Sequence, residues 1–230
     1  MSEAAATLTI TDIKAQTSDI ALFTMTPTTS NEHFAVPARP GQVALLQVGA
    51  EAPAYFACAH APHETDWQFL VKRGQGASGQ LFASGIGAGI TLQKIVGRGF
   101  DVAAQRGRDL VFVAMGTGVA PLRSALRHVL RERENYGRLI FLYGVRTNAE
   151  LCFADEAEAM RRSGVEIVVT VTEPETPTNE RRYVQHLLDR FLPQMPQPTA
   201  LICGSPAMME DTRARLLAHA VAPEAILTNY

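Results

Sequence analysis

The sequence predicts two domains: an antiparallel β-barrel in residues 1–103, followed by an α/β domain with a five-stranded parallel sheet in residues 108–230. Two observations predict this division. The first hundred residues contain short β segments separated by Pro- and Gly-bearing turns, which is typical of a small antiparallel barrel. From about Arg108 onward, apolar strands alternate with helical patterns, and this alternation predicts βαβ units around a parallel sheet.

The predicted elements follow from the hydrophobic pattern and the turn residues. In the first domain the predicted strands are Ala6–Thr11, Ile20–Thr26, Gln42–Val48, Tyr55–Ala59, Trp67–Lys72 and Ile90–Val96. In the second domain they are Leu110–Ala114, Leu139–Tyr143, Val165–Val171, Ala200–Cys203 and Ala225–Leu227, with helices over Pro121–Glu134, Ala149–Ser163, Tyr183–Phe191 and Pro206–His219. The charged stretch DVAAQRGRD between the two patterns is the predicted linker.

Bulk composition excludes several classes of function. The chain is 47% hydrophobic and 19% charged with a net charge of −2, so neither nucleic acid nor an anionic membrane is the expected partner. We expect no membrane span and a cytoplasmic location, because no apolar run or leader pattern is present. Three scattered cysteines and six scattered histidines predict no metal site, so an organic cofactor must carry any redox chemistry.

The stretch VFVAMGTGVAPLRSAL changes from an apolar strand to a helix at Gly116-Thr117-Gly118. A glycine turn before a helix presents free backbone N–H groups and the positive end of the helix dipole to an anion. Gly116 and Gly118 remove side chains where a ligand must approach the backbone closely. The spacing differs from Gly-x-Gly-x-x-Gly and from a phosphate-binding loop, so by itself it is consistent with a tight connection as well as with a nucleotide site.

Four motifs in order, GTGVAPLRSAL, LIFLYGVR, ELCFADE and ICGSPAMM, make the sequence resemble the ferredoxin–NADP reductase family of flavoprotein reductases. The resemblance implies a flavin-binding barrel followed by a Rossmann-like domain, with FAD and either NADH or NADPH as cofactors. Matched position by position, it implies NAD(P)-binding by Gly116, Thr117, Gly118, Ala120, Pro121, Gly144, Arg146, Cys203, Gly204, Pro206 and Met208. In the family the cysteine of the last motif lies near the hydride-transfer centre, so Cys203 is a candidate catalytic residue.

The flavin motif departs from the family pattern. Family members carry Arg-x-Tyr-Ser, in which the arginine pairs with the flavin pyrophosphate, whereas this chain has EAPAYFACAHAPHE. If Phe56 takes the aromatic place, Ala54 replaces the arginine; if Tyr55 takes it, Pro53 does. The resemblance implies FAD contacts by Tyr55, Phe56, Ala57, Cys58, Ala59 and His60, and by Gly76, Ala77 and Ser78 of a second pyrophosphate loop. Lys72 or Arg73 is a candidate substitute for the missing charge.

Two further residues are candidates for catalysis at the flavin. His60 replaces a later serine of the motif, and imidazole titrates near neutral pH, which predicts a hydrogen bond or a proton coupled to the ring. Tyr230 matches family members whose terminal aromatic residue stacks on the flavin and yields to nicotinamide. The alternatives are a polar residue at a strand end for His60 and a frayed terminus for Tyr230.

The nucleotide preference is predicted from the loop VVTVTEPETP. Glu173 and Glu175 would repel a 2′-phosphate and suit a ribose diol, which favours NADH, while Arg181 and Arg182 a few residues later favour NADPH. The implied activity passes a hydride from NAD(P)H to FAD and then electrons to an external acceptor, either a protein or a small oxidant. The alternative is a non-catalytic electron-transfer or nucleotide-sensing subunit that binds flavin weakly.

Overall fold

The first half of the chain forms a curled antiparallel sheet of six strands in the computed structural model, which describes residues 6–28, 37–173 and 183–230. The strands are β1 (Ala6–Ala15), β2 (Ile20–Pro27), β3 (Val43–Gln47), β4 (Ala54–Ala57), β5 (Trp67–Lys72) and β6 (Gly89–Val96), in the order β4-β3-β6-β1-β2-β5. The two edge strands meet through a bridge between Cys58 and Phe69, so the sheet curls into a barrel. The barrel prediction is confirmed.

The second half contains a parallel sheet of five strands, as predicted. Its elements are β7 (Asp109–Met115), α2 (Val119–Leu130), β8 (Leu139–Val145), α3 (Ala157–Arg162), β9 (Val165–Val171), α4 (Leu188–Phe191), β10 (Pro198–Cys203), α5 (Pro206–Ala218) and β11 (Ile226–Leu227); α1 (Gly76–Ala83) precedes them in the barrel half. The strand order is β11-β10-β7-β8-β9. The order reverses beside β7, and ligands of open parallel sheets bind at the carboxyl ends of strands next to such a reversal.

Two predicted helices are shorter than the pattern suggested. The helix expected over Ala149–Ser163 consists of two 3₁₀ turns and then α3. The chain turns at Phe153, whose φ is +57°, and its backbone N–H donates to Gln16 Oε1 at 2.7 Å. Between Tyr183 and Phe191 a 3₁₀ turn precedes a single turn of α4. Helix α1 is not predicted from the sequence, because the glycines of this segment indicate a turn.

One buried apolar cluster spans the two halves, and each half also has a cluster of its own. Ile20, Leu22, Ala59 and Leu70 of the barrel half belong to the same buried cluster as the α2 side of the parallel sheet. Polar contacts also cross the boundary. The guanidinium of Arg123 in α2, whose side chain is only 3% exposed, crosses it by donating to the Ala59 carbonyl at 2.7 Å. Two hydrogen bonds to the Glu156 carboxylate, at 2.6 and 2.8 Å within the α/β half, hold the guanidinium in place. These contacts fix the relative position of the barrel and the sheet, and with it the cleft between them.

Candidate functional site

A cleft of about 470 Å³ opens between the two halves at the carboxyl ends of β7 and β10. The barrel half contributes Ile20, Ala57 and Lys72 to its walls. The α/β half contributes Met115, Gly116, Thr117, Gly118, Pro121, Glu150, Cys203, Gly204 and Ser205. The volume falls in the range of small-molecule and cofactor pockets, and the cleft lies where the strand order of the sheet reverses.

The two positions of the β7–α2 turn, 116 and 118, are glycine for different structural reasons. Gly116 has a φ of +55°, and a Cβ at this position would point into space free of other atoms to 4 Å. Gly118, in contrast, is packed against the end of β10. A Cβ added at this position would lie 2.5 Å from the Cys203 carbonyl oxygen, which is too close. No side chain caps the 3₁₀ turn at 116–118 or the start of α2. The turn therefore offers open backbone to a ligand and holds two strand ends together.

A second cavity of about 280 Å³ continues from Gly116 along the ends of β8 and β9. Its lining residues are Met115, Gly116, Gly144, Val145, Arg146, Glu150, Thr172, Glu173, Tyr183, Val184 and Gln185. Arg146 lies between two carboxylates: its guanidinium is 3.0 Å from Glu150 and 4.0 Å from Glu173. These ion pairs hold the pKa of Arg146 above its usual value, and the hydrogen bond with Glu150 is the largest cause. Arg146, the one arginine among the described residues that line this cavity, is thus already paired with carboxylates.

Cys203 lies at the end of β10, on the wall of the central cleft. Burial raises the pKa of its thiol to about 11, so the thiol is neutral at physiological pH. A neutral thiol next to the glycine turn suits contact with an uncharged ring and does not suit nucleophilic attack. Cys203 is therefore an uncharged group on the wall of the cleft.

Comparison with known proteins agrees with this geometry. Residues 112–214 match the family model described as the oxidoreductase NAD-binding domain. The chain is 34% identical over 136 residues to sulfhydrogenase 1 subunit gamma of Pyrococcus furiosus, covering 56% of this chain and 46% of that protein. It is 29% identical over 176 residues to ferredoxin–NADP reductase B of Sorangium cellulosum, covering 72% of each.

A solved ferredoxin–NADP⁺ reductase from Neisseria gonorrhoeae, with bound FAD and NADP, has the same fold. It superposes with a TM-score of 0.81 over 97% of both chains, at 21% sequence identity. Residues 112–214 thus match an oxidoreductase NAD-binding domain, and the fold of the chain is that of ferredoxin–NADP⁺ reductases. The chain spans about half the length of the first curated relatives that it matches, 46% and 53%.

Most of the residues that the family resemblance predicts to bind NAD(P) line one of the two cavities. Gly116, Thr117, Gly118, Pro121, Cys203 and Gly204 line the central cleft, while Gly144, Arg146 and Glu173 line the second cavity. Ala120 and Met208 are buried instead, at 2% and 4% exposure. Met208 packs beneath Gly204, and Pro206 forms the first turn of α5. As a correction, these three residues support the binding turns and do not line the cavities.

The flavin motif of the reductase family is only partly preserved in space. Along β4 the side chains alternate, so Tyr55 is exposed and Ala57 lines the cleft, whereas Phe56 packs against the barrel core. Tyr55 is therefore the aromatic residue that faces outward, and Pro53 occupies the arginine place. The predicted flavin contacts of these residues stay a prediction: Cys58 and Ala59 are buried in apolar clusters, and Phe56 is partly buried against the barrel core.

The catalytic role of His60 stays a prediction, and the structure places the residue away from the cleft wall. His60 is 1% exposed and lies against Trp67, at 5.1 Å between ring centroids, rather than on the cleft. Its Nδ1 accepts a hydrogen bond from the Gln68 backbone N–H at 3.1 Å, and its carbonyl accepts one from Ser124 of α2. Burial lowers the pKa of His60 to about 4, so the ring is neutral at physiological pH. His60 belongs to the contact between the two halves.

Gly76, Ala77 and Ser78 form the first turn of α1, a helix that the sequence analysis did not predict. Gly76 has a φ of +61°, and no side chain caps the helix start. Glu51, in the loop between β3 and β4, lies close to this end of the helix. A Cβ added at Gly76 would be 3.7 Å from Glu51 Oε2. A carboxylate therefore lies close to the place where the family binds pyrophosphate.

Tyr230 is not frayed, although the structure does not bring its ring onto the cleft wall. The preceding Asn229 is buried and its side-chain amide donates to the Gly41 carbonyl at 3.0 Å. The Tyr230 hydroxyl donates to Met209 Sδ at 3.2 Å, next to the start of α5, and the side chain is 67% exposed. Stacking of this ring on a flavin stays a prediction.

Several residues of the site were missed by sequence reasoning, namely Glu150, Tyr183, Gln185 and Ser205. Glu150 opens the ELCFADE motif, and its i to i+4 spacing from Arg146 was the signal available. Ser205 caps α5 by accepting from the Met208 N–H at 3.3 Å, which the Ser-Pro sequence predicts. Glu175, Arg181 and Arg182 lie outside the described residues.

No group of three or more His, Cys, Asp or Glu side chains in 6–28, 37–173 and 183–230 is arranged to hold a metal ion. Within the same ranges, no helix combines the length and the apolar character that crossing a membrane requires.

Proposed function

We propose that the chain passes a hydride from NAD(P)H to FAD held by the barrel, and then electrons to an external acceptor. The observation that carries the proposal is the cleft itself, which joins the outward face of β4 to the glycine turn and to Cys203. The fold of ferredoxin–NADP⁺ reductases and the NAD-binding model over 112–214 support it. The acceptor class, protein or small oxidant, is part of the proposal; one relative is named as a reductase component of a dioxygenase system.

The α/β half provides the dinucleotide site. Open backbone at Gly116 and the uncapped start of α2 suit an anionic pyrophosphate. Met115, Pro121 and the neutral thiol of Cys203 form an uncharged part of the wall of the central cleft, while Lys72 and Glu150 supply its charged groups. These residues orient the nicotinamide and exclude water from it.

The barrel half fits the ring end of a flavin, because Tyr55 and Ala57 face outward along β4 and Ala57 reaches the cleft. When bound, FAD supplies the acceptor of the hydride and releases the electrons onward. No acid or base of this chain is required for hydride transfer. The residues of the chain bind and orient the two rings.

The second cavity favours NADH over NADPH. Glu150 and Glu173 both lie beside Arg146, so the guanidinium is neutralised and a 2′-phosphate would meet carboxylates. We expect Glu173→Arg to lower the KM for NADPH at least about tenfold relative to NADH, since it replaces a repulsive charge by an attractive one. Glu158→Arg, an equal charge change on exposed α3, is the matched control and leaves the ratio unchanged. An unchanged ratio in Glu173→Arg would remove Glu173 from the site.

The proposed function is tested by adding FAD to the purified chain without oxygen and then supplying NADH or NADPH. Bleaching of the visible flavin absorbance with either nucleotide is the expected result. Tight nucleotide binding with no flavin binding and no bleaching contradicts the proposal. That outcome favours the second candidate, a nucleotide-sensing subunit, for which the specific observation is the neutral Pro53 at the place of the flavin-binding arginine.

A further inference from the structure

We propose that the α/β half binds a small apolar carboxylate, with one ring and a short side chain, in a cavity between α2, α3 and the parallel sheet. The cavity has a volume of about 200 Å³ and shares no lining residue with the two cavities of the proposed nucleotide site. Three observations carry the inference: the apolar walls, the backbone path that leaves this space open, and the charges at its mouth.

The cavity has a floor of apolar and aromatic side chains from two neighbouring strands. These side chains are Phe141 and Tyr143 of β8 and Ile167 and Val169 of β9. Ile167 and Val169 are only partly buried, although they pack against the cluster that spans the two halves. A ligand that covers this apolar surface gains free energy by removing it from water. Because an apolar cavity of about 150 Å³ takes benzene, this volume suits one ring with a short side chain.

The polar side chains in the wall have partners inside the protein. The Tyr143 hydroxyl donates to the Gly116 carbonyl at 3.2 Å, and the Cys152 thiol donates to the Glu150 carbonyl at 3.8 Å. Burial raises the pKa of the Cys152 thiol to about 11, so the thiol is neutral at physiological pH. A buried water needs two to four polar partners, and these two side chains are already engaged. The interior therefore favours an uncharged apolar group.

The space is open because no long helix covers the sheet between β8 and β9. Two 3₁₀ turns replace the first part of the predicted helix, and α3 is only six residues long. Phe153 turns the chain with a φ of +57°, and its ring packs under the Arg123 guanidinium. After this turn, the small side chains of Ala154 and Ala157 line the cavity. The cavity thus results from the backbone path and from two alanines that do not fill it.

The charges at the mouth of the cavity leave one cation without a counter-charge. Each of the three carboxylates in the segment 155–158 has its own cation: Asp155 pairs with Lys14, Glu156 with Arg123, and Glu158 with Arg162. Arg161 is exposed and lines the cavity, and it forms no ion pair with any carboxylate in 6–28, 37–173 or 183–230. A guanidinium binds a carboxylate through two parallel hydrogen bonds. An apolar molecule that ends in one carboxylate therefore matches both the walls and the mouth.

The test is a calorimetric titration of the whole chain with phenylacetate and with phenylacetamide, which has the same ring but no charge. We expect phenylacetate to bind with a dissociation constant of about 1 mM or tighter, and phenylacetamide to bind at least about fivefold more weakly. Arg161→Gln is expected to abolish this difference, because it removes the cation at the mouth. Arg162→Gln is the matched control and keeps the difference, since Arg162 is paired with Glu158 and does not line the cavity.

A second variant tests the cavity itself. Ala157→Leu places a larger side chain in the cavity, so both ligands are expected to bind at least about tenfold more weakly. Ala159→Leu is the control, because Ala159 lies on the same helix, is exposed and does not line the cavity. Circular dichroism checks that both variants are folded. If Ala157→Leu does not fold, the exposed pair Arg161→Gln and Arg162→Gln still decides the test.

Three results would overturn the inference and leave the proposed function standing. The first is no binding of phenylacetate up to about 10 mM, or equal binding of phenylacetate and phenylacetamide. The second is unchanged binding of both ligands in folded Ala157→Leu, which would mean that they bind elsewhere. The third is weaker binding of phenylacetate when NADH is present, which would place the carboxylate in the nucleotide site.

Discussion

At the scale of single residues, Arg123 connects the barrel to the sheet more directly than any residue of the predicted site. Its guanidinium bonds Glu156, the Ala59 carbonyl and Gln68 Oε1, and it covers the Phe153 ring at 4.7 Å. Charged side chains are rarely this buried without complete pairing. Nothing in the sequence marks Arg123, because an arginine on an amphipathic helix is usually exposed.

We expect Arg123→Met to lower the free energy of unfolding by about 2–4 kcal/mol, because it removes the partner of the partly buried Glu156 carboxylate and of two acceptors, the Ala59 carbonyl and Gln68 Oε1. Urea unfolding followed by circular dichroism measures the loss. Arg162→Met is the control: Arg162 is 69% exposed in its pair with Glu158, and its loss costs at most about 0.5 kcal/mol. Equal losses in the two variants would show that Arg123 is dispensable to the interface.

His60 predicts an acid-dependent stability. In the folded chain the pKa of His60 is about 4, below the ordinary value of 6.5, mainly because burial disfavours the charged ring. The unfolded chain therefore takes up this proton first, and the stability due to neutral His60 is complete above pH 6.5 and is lost as the pH falls toward 4. The loss is roughly 2–4 kcal/mol, since one pKa unit corresponds to about 1.4 kcal/mol.

The measurement compares urea unfolding of the native chain and His60→Gln at several pH values between 7 and 4. We expect the native chain to lose more stability than His60→Gln over this window. His63→Gln, an exposed neighbour, is the control and follows the native curve. Parallel curves for the native chain and His60→Gln would mean that His60 does not titrate with folding.

At the scale of elements, the glycine turn illustrates what spacing predicts well. The strand, the glycines and the helix appear where the sequence placed them, because hydrophobic runs and glycine positions are local signals. The helix predicted over 149–163 is too long because the contacts that end it are not local. Gln16 and Arg123, distant in sequence, hold Phe153 in a left-handed conformation. Local patterns do not contain those partners.

Gly116→Ala and Gly118→Ala are expected to separate ligand binding from folding. Gly116→Ala costs about 1–2 kcal/mol for its positive φ, and its methyl group enters the open cleft, so NADH affinity falls more than stability. Gly118→Ala places a methyl group 2.5 Å from the Cys203 carbonyl and forces β7 and β10 apart. The two variants are compared by thermal unfolding and by NADH titration. A larger stability loss in Gly116→Ala contradicts this assignment.

At the scale of the whole molecule, the apolar cluster that spans the two halves predicts that they unfold together, although each half also has a cluster of its own. Barrel residues Ile20, Leu22 and Leu70 pack in the same cluster as Phe112 and Phe141 of the sheet. The segment between the halves is also buried through Phe100 and Val102, so it does not behave as a free linker. A shared core favours joint unfolding over separate unfolding of domains.

We therefore expect a single urea transition in two independent signals. The one tryptophan, Trp67, lies in β5 and reports on the barrel, while far-ultraviolet circular dichroism is dominated by the helices of the α/β half. The two curves are expected to coincide in the native chain. A tryptophan transition that precedes the loss of helix would show that the barrel unfolds on its own.

The sequence by itself determined the two kinds of sheet, most strand positions, the glycine turn and the residues at the strand ends that form the nucleotide cavities. These features depend on local hydrophobic periodicity and on residues whose backbone preferences act at their own position. Only the tertiary structure decided that Phe56, Cys58 and His60 point away from the cleft, that Arg123 joins the halves, and that Glu51 lies on α1. Which face of a strand is buried, and which charges meet, depends on neighbours far away in the chain.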